Sequence, residues 1–395
     1  MLISAFQGNR HYYTWLGFLS LAIVLGLIAY GFQLEHGLIV TNLTDQVSWG
    51  AYIANFTFLV GVAAAAVLLV VPAYLFHNKD VKKIVLIGEI LAVNAMFMCM
   101  LFILVDMGRP DRFWHVIPYL GRLNFPQSIL AWDVIVLNGY LLLNLHIPGY
   151  LLYKLYKGEE PKASRYLPLV YISVFWAISI HTVTAFLYSG LGGRPFWNTA
   201  ILAPRFLISA FAGGPALLII IFFIIDKYYE KFTVPASVFK LLKQIAAVAF
   251  PTNMFLLFCE IFKEFYTDSA HVASAQYLFL GLHGHDLLVP YIWSAILFGS
   301  WTTFVFLYPK FRDNKKILLP TCIIGFVGIW IEKGMGLIIP GFVPSPLGTI
   351  VEYSPSLYEI LICLGIWSFG AFSFTLMTKA ALDILSGKNK LDRKA

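Results

Sequence analysis

WGAYIANFTFLVGVAAAAVLLVVPAYLF, from Trp49 to Phe76, runs for 28 residues without a charged side chain. About 20 apolar residues in a helix cross a bilayer core of roughly 30 Å, so this stretch alone reads as a membrane-spanning helix. Similar runs recur along the 395-residue chain, at roughly 13–32, 83–105, 129–155, 167–189, 204–226, 237–262, 286–308, 316–333 and 357–379, which makes ten spans in all. Residues are 59% hydrophobic and only 12% charged, more apolar surface than a water-soluble domain needs. The short alternating segments of a β-barrel are not seen. An all-α polytopic membrane protein is expected, with no inserted soluble domain. Pro251, in the middle of the seventh span, marks a candidate kink. The first run follows Arg10 and has no small-residue cleavage site after it, so it is read as a retained helix.

Charge orients these spans. Arg10, Lys79, Lys82, Lys83, Lys154, Lys157, Lys162, Arg165, Lys227, Lys231, Lys240, Lys243, Lys310, Arg312, Lys315, Lys316 and a basic tail from Lys379 to Lys394 fall on one side; only Arg109, Arg112, Arg122, Arg194, Arg205, Lys263 and Lys333 fall on the other. Of 28 Lys and Arg residues, 21 thus share one side. The positive-inside rule makes that side cytoplasmic, with both termini inside a cell membrane. The formal charge of +7 is spread over short loops and does not point to nucleic acid. Two outer loops share a phrase: Gly108-Arg109-Pro110 leads to Phe113-Trp114, and Gly193-Arg194-Pro195 leads to Phe196-Trp197. This echo suggests duplicated bundles of helices.

Several chemistries are disfavoured. Cys99, Cys259, Cys322 and Cys363 are isolated, with no CxxC pair, which argues against an iron–sulfur cluster in this chain. Of nine His, only His146 and His181 lie inside spans, at opposite depths, so paired haem ligands are not expected; His11, His36, His77, His115, His271, His283 and His285 lie in loops or at helix ends. No metal site, phosphate-cradling loop or hydrolase triad is visible.

The polar residues within the spans carry what chemistry remains, since ionisable groups in a membrane are expensive and mark function by default. Most fall at the outer side: Tyr52 and Asn55, Asp106, Asp133, His181, Arg205, Glu260 and Glu264, Glu332 and Lys333, Glu359. End residues such as Glu332 and Lys333 can also simply snorkel to water. Glu89, Asn94, Asn138 and Asn144 lie deeper. An outer cluster of acids, His, Arg, Tyr and Trp within an apolar bundle suits a quinone, whose head group needs hydrogen-bond partners and an acid/base group, with a neighbouring subunit taking the electrons. The same charges would also serve a secondary or proton-coupled transporter, though such proteins show helices broken near the midplane. A purely structural membrane anchor would leave Asp133 and His181 unexplained.

Four segments resemble one family. SWGAYIANFTFLVG (Ser48 to Gly61), VDMGRPDRFWH (Val105 to His115), SGLGGRPFWNTAILAPRF (Ser189 to Phe206) and IEKGMGLIIPGFVPSPLG (Ile331 to Gly348) are similar to motifs of the NrfD/PsrC membrane subunits, over about residues 45 to 365. HTVTAFLYSGL and RPFWNTAILAPRF are most similar to the ten-helix branch, which serves Dsr- and Hme-type complexes linked to sulfate reduction. The resemblance implies two four-helix bundles, spans two to five (about 49–189) and six to nine (about 204–333), with one flanking helix at each end (about 13–32 and 357–379). It implies a non-covalent menaquinone facing the outer side, an outer iron–sulfur (ferredoxin-like) subunit, and further membrane and redox subunits. The chain would be one subunit of an oxidoreductase complex, without a complete active site for the terminal substrate. On this reading Asp106, His181 and Arg194 stand near the head group, with Asp106 or His181 as the acid/base group, and Tyr52, Asn55, Trp197, Glu260 and Glu264 surround it. Arg109, Arg194 and Arg205 orient carboxylates and hold the outer loops. Glu89 and Asp133, with Asn94 and Asn138, form a candidate proton trail, although Glu89 can equally bond a neighbouring helix.

Overall fold

Among the described residues, ten helices long and apolar enough to cross a membrane follow one another: α1 Arg10–His36, α2 Ala51–Leu75, α3 Val85–Asp106, α4 Ile129–Tyr156, α5 Ala163–Ser189, α6 Leu202–Tyr228, α7 Ala236–Thr267, α8 Val289–Leu307, α9 Lys315–Gly341 and α10 Leu357–Leu385. The computed structural model describes residues 5–267 and 272–388; His271 and the tail cations Lys390, Arg393 and Lys394 lie outside the described residues. The helices outrun their apolar cores because polar ends are capped. Asn9 accepts from the Tyr12 amide at the start of α1, Asn314 caps α9, and Ser356 and Glu359 form a capping box on α10, satisfying amides that a helix start leaves open.

Neighbour packing gives two four-membered rings. α2, α3, α4 and α5 close one, with α2 also against α5; α6, α7, α8 and α9 close the other, with α6 also against α9. The rings meet along α2, α5, α6 and α9. At Gly214 on α6 an added Cβ would lie 2.6 Å from Cβ of Ala65 on α2, so glycine is what allows that close approach. The two flanking helices pair with each other, and α10 leans on α3. Gly26 and Gly365 cross almost backbone to backbone, a Cβ at Gly26 falling 2.7 Å from the Gly365 Cα, the small-residue contact by which membrane helices associate.

Two helices are interrupted and one expected kink is absent as a break. α2 loosens after Ala64 and ends in a wide turn over Val71–Leu75 that contains Pro72, because proline has no amide to donate and clashes with the preceding turn. α9 breaks at Gly334 and continues as Met335–Ile338 and a tight turn through Gly341. α7, by contrast, runs continuously through Pro251. The Gly-Arg-Pro echo is real locally: Arg109 and Arg194 have similar backbone angles and each leads into a short tight helix. Both loops, however, leave helices of the first ring, so the echo does not relate the two bundles.

At the basic end, side chains tie the loops together. Asp80 accepts from Ser237 at 2.7 Å, Lys243 pairs with Asp313, and Tyr229 donates to Asp383 at 2.6 Å. Burial first, then the Asp383 carboxylate, pushes the Tyr229 hydroxyl up to about 12.

Candidate functional site

The ends of α1, α3, α5, α7 and α9 and the starts of α2, α4, α6, α8 and α10 lie at the face opposite the basic loops, so every outer-side residue singled out from the sequence does share one end of the molecule. Laterally they separate into distinct places.

The first is the mouth of the first bundle. Asp106 closes α3 and is half-buried, and its Oδ1 is buried with no hydrogen-bond partner among the described residues. Tyr52, fully buried on the first turn of α2, lies within electrostatic reach of Asp106 and of Glu359. Its hydroxyl donates to Gln33 Oε1 of α1 at 2.6 Å, and Gln33 Nε2 donates to the Val105 carbonyl at 2.6 Å. Glu359, at the start of α10, accepts from the amides of Asn42 and Ser356 at 2.9 Å each and from the Tyr353 hydroxyl. Burial and that carboxylate together push the Tyr353 hydroxyl well above the ordinary phenol range.

A second group descends inside the same bundle. His181, Thr184 and Tyr188 stand on one face of α5, three or four residues apart as helical neighbours must be, and all are buried. His181 Nδ1 bonds the Ala177 carbonyl at 3.0 Å, while Nε2 is buried without a partner among the described residues. Thr184 donates to Asp133 Oδ1 of α4 at 2.9 Å, and Tyr188 meets Thr57 of α2. Tyr188 is within electrostatic reach of Asp106 and Asp133, which connects this column to the mouth. Deeper still, Glu89 has one buried carboxylate oxygen without a partner among the described residues and lies within electrostatic reach of Tyr74 and Tyr140. Asn94 instead bonds Ser373 and Met377 of α10, and Asn138 is exposed on the outer face of α4. Of the four residues expected to share an interior seam, Glu89 and Asp133 are buried on α3 and α4, whereas Asn94 turns to α10 and Asn138 is exposed.

The third place is the second bundle. Arg205 of α6 pairs with Glu260 of α7, and with Glu332 of α9 at 2.9 Å; Asn253 donates to Glu332 at 2.8 Å, and Lys333 lies 3.1 Å from the same carboxylate. Glu332 and Lys333 are only 6% and 3% exposed, so they do not snorkel; they belong to a buried ion network. Glu264 pairs with Lys263 at 2.8 Å, and its other oxygen is buried without a partner among the described residues. Glu260 and Glu264 line a cleft with Arg205, Leu257, Phe279 and Glu332, away from the Asp106 mouth. Lys333 also lines a narrow seam between the bundles with Thr57, Gly61, Ser209 and Gly214.

The remaining candidates are anchors. Asn55 accepts from the indoles of Trp330 and Trp367 at 3.0 and 2.9 Å and donates to the Ala51 carbonyl, joining α2, α9 and α10. Trp197 is fully buried and donates to the Leu337 carbonyl at 2.8 Å, within a box of Trp49, Tyr188 and Phe342. Arg194 lies 4.6 Å over the Phe342 ring and is drawn below its ordinary range by burial, while Arg109 holds exposed Asp111 at 3.0 Å. Of the three arginines expected to orient carboxylates, Arg205 holds two buried ones and Arg109 an exposed one, while Arg194 stacks on Phe342. Gln33 escapes a reading of the sequence because it falls just past the first apolar run, beside Glu35 and His36.

Comparison with known proteins accounts for this architecture. The family model described as polysulphide reductase, NrfD, matches residues 39–344. A protein of Halobacterium salinarum named as a candidate dimethyl sulfoxide reductase membrane subunit is 24% identical, over 90% of this chain and 88% of its own. The Hdr-like menaquinol oxidoreductase integral membrane subunit of Archaeoglobus fulgidus is 25% identical over 88% of this chain and 87% of its own. The menaquinone reductase integral membrane subunit of Nitratidesulfovibrio vulgaris is 21% identical over 96% and 93%. With a family match across most of its length and ten membrane-spanning helices in the expected two bundles, the chain belongs to the NrfD family of polysulphide reductase membrane proteins.

Proposed function

We propose that this chain is the quinone-exchanging membrane subunit of a respiratory oxidoreductase complex, and that the mouth of the first bundle, around Asp106, receives the head group. The observation that carries this is the buried, unpartnered Asp106 Oδ1 at the outer end of α3. A buried acceptor without a donor is costly, and a hydroxyl of a bound quinol supplies the missing donor. Relatives named for menaquinol and menaquinone support a menaquinone. When bound, the quinol supplies two electrons and two protons. The chain's own share is to hold a proton at the Asp106 carboxylate and to accept hydrogen bonds at the mouth. Electrons pass to an iron–sulfur subunit docked on the outer face, in an assembly of the Dsr type linked to sulfate reduction; relatives named as subunits of reductase complexes support a redox partner. Photolabelling of the complex with an azido-naphthoquinone tests this: adducts are expected on peptides carrying Tyr52 or Asp106, and adducts confined to α7 and α9 would move the site to the second bundle.

The membrane is the cytoplasmic one, with the basic loops and both termini inside. Leu347 is 93% exposed in the loop after α9. A Leu347→Cys variant is expected to react with a membrane-impermeant maleimide in intact cells; reaction only in inverted vesicles would reverse the orientation.

Glu89 with Tyr74 and Tyr140, then Asp133 with Thr184 and Tyr188, supply an interior polar column below the mouth, which we propose as a proton path. Isolated charges at this depth cost about 2.5–3.5 kcal/mol on insertion scales, so the column needs a function or partners to be kept. Glu89→Gln, reconstituted with the whole complex in proteoliposomes, is expected to keep near-normal turnover and lose charge translocation. An unchanged proton-to-electron ratio would exclude Glu89 as an obligatory relay.

A further inference from the structure

Gln33 is the one polar side chain among the buried residues of α1. It sits in the flanking pair, outside both bundles, yet reaches the Asp106 mouth. Its Nε2 donates to the Val105 carbonyl and its Oε1 faces the Tyr52 hydroxyl, each at 2.6 Å. A backbone carbonyl can only accept, so it decides which end of the amide faces it. The amide oxygen must then face Tyr52, and an amide oxygen can only accept. Tyr52 has a single hydroxyl proton, and that proton is committed to Gln33. Toward Asp106 the Tyr52 oxygen therefore accepts and does not donate. The nearby Glu359 is an acceptor as well, already filled by Asn42, Ser356 and Tyr353.

We propose that Gln33 is a positioning residue that makes this site select the reduced, hydroxyl-bearing form of the quinone. Resting on the reading of the Asp106 mouth as the head-group site, it explains what the flanking helix contributes. A quinol O–H has one proton to give, and both groups it meets, the Asp106 carboxylate and the Tyr52 oxygen, can accept or share it. The carbonyl oxygen of an oxidised quinone is itself an acceptor and meets no donor from either group. The Val105 carbonyl sets Gln33, Gln33 sets Tyr52, and Tyr52 discriminates the two redox forms. Product leaves as it loses the hydrogens that held it.

The test is equilibrium dialysis of menadiol, kept anaerobic, and of menadione against the purified complex. In Gln33→Met, close in volume to the native side chain, Tyr52 is released to donate. The ratio of the menadione Kd to the menadiol Kd is expected to fall roughly 2- to 10-fold, as for one hydrogen bond gained or lost. In a Tyr52→Phe background the same change should leave the ratio where Tyr52→Phe put it, which loss of local packing would not do. Should Gln33→Met fail to assemble, Tyr52→Phe alone decides, because removing the acceptor must lower the ratio as well. An unchanged ratio in these variants, with Asp106→Asn still weakening menadiol, overturns the inference and leaves the site standing. Menadiol binding indifferent to Asp106→Asn overturns the site itself.

Discussion

Replacing Asp106 by Asn is expected to lower quinol-linked electron transfer by about 10²-fold or more, with the complex still assembled. Asn keeps the size and shape of Asp but cannot take up a proton at neutral pH. The oxygen buried at the mouth makes no hydrogen bond among the described residues, so the substitution removes chemistry without breaking a tie of the fold seen there. Its amide oxygen can occupy the same buried position while the nitrogen turns to the half-exposed side. His181→Ala is the companion experiment. The imidazole has one nitrogen bonded to Ala177 and the other unpartnered, on the same face of α5 as the Thr184 that holds Asp133. A loss as large as that of Asp106→Asn is expected if protons leave the head group through this column. Rates measured with native quinol in membranes, normalised to assembled complex, decide the matter. Wild-type rates in both variants would remove the acid/base function from the first bundle.

The second large effect concerns stability. Arg205→Met is expected to destabilise the protein by roughly 3–5 kcal/mol, because breaking a buried ion pair strands an uncompensated charge. Here two carboxylates, Glu260 and Glu332, lose a shared partner. Lys333 remains beside Glu332, whereas Glu260 keeps no cation that the structure shows. The variant should accumulate poorly and unfold at lower temperature, followed by size-exclusion chromatography of heated, detergent-purified complex. Adding Glu260→Gln and Glu332→Gln should restore part of the loss, since a neutral hydrogen-bonded cluster avoids the desolvation of unpaired charge. An Arg205→Met protein as heat-resistant as wild type would show that the network is dispensable to the fold.

Depth along the membrane was readable from the sequence. A residue's height in the bilayer is its place within its own span, and the spans announce themselves as apolar runs such as Trp49 to Phe76. Loop charge then orders the two sides, so Asp106, Glu260, Glu332 and Glu359 could be assigned to one end without coordinates. Which of them meet is a different property. It depends on the rotation of each helix about its axis and on which helices adjoin, and in a nearly uniform apolar sequence the pattern that marks a buried face in water is weak, because lipid and protein interior are equally apolar. Tertiary structure therefore decided that Glu260 and Glu264 join Arg205 in the second bundle, that Asn55 and Trp197 are held by neighbouring helices, and that Gln33 of the first span reaches Tyr52. Close contacts between small residues, Gly26 on Gly365 and Gly214 on Ala65, fix how α1 meets α10 and α6 meets α2; they are made between segments far apart in the chain, and no local reading of either segment contains the other.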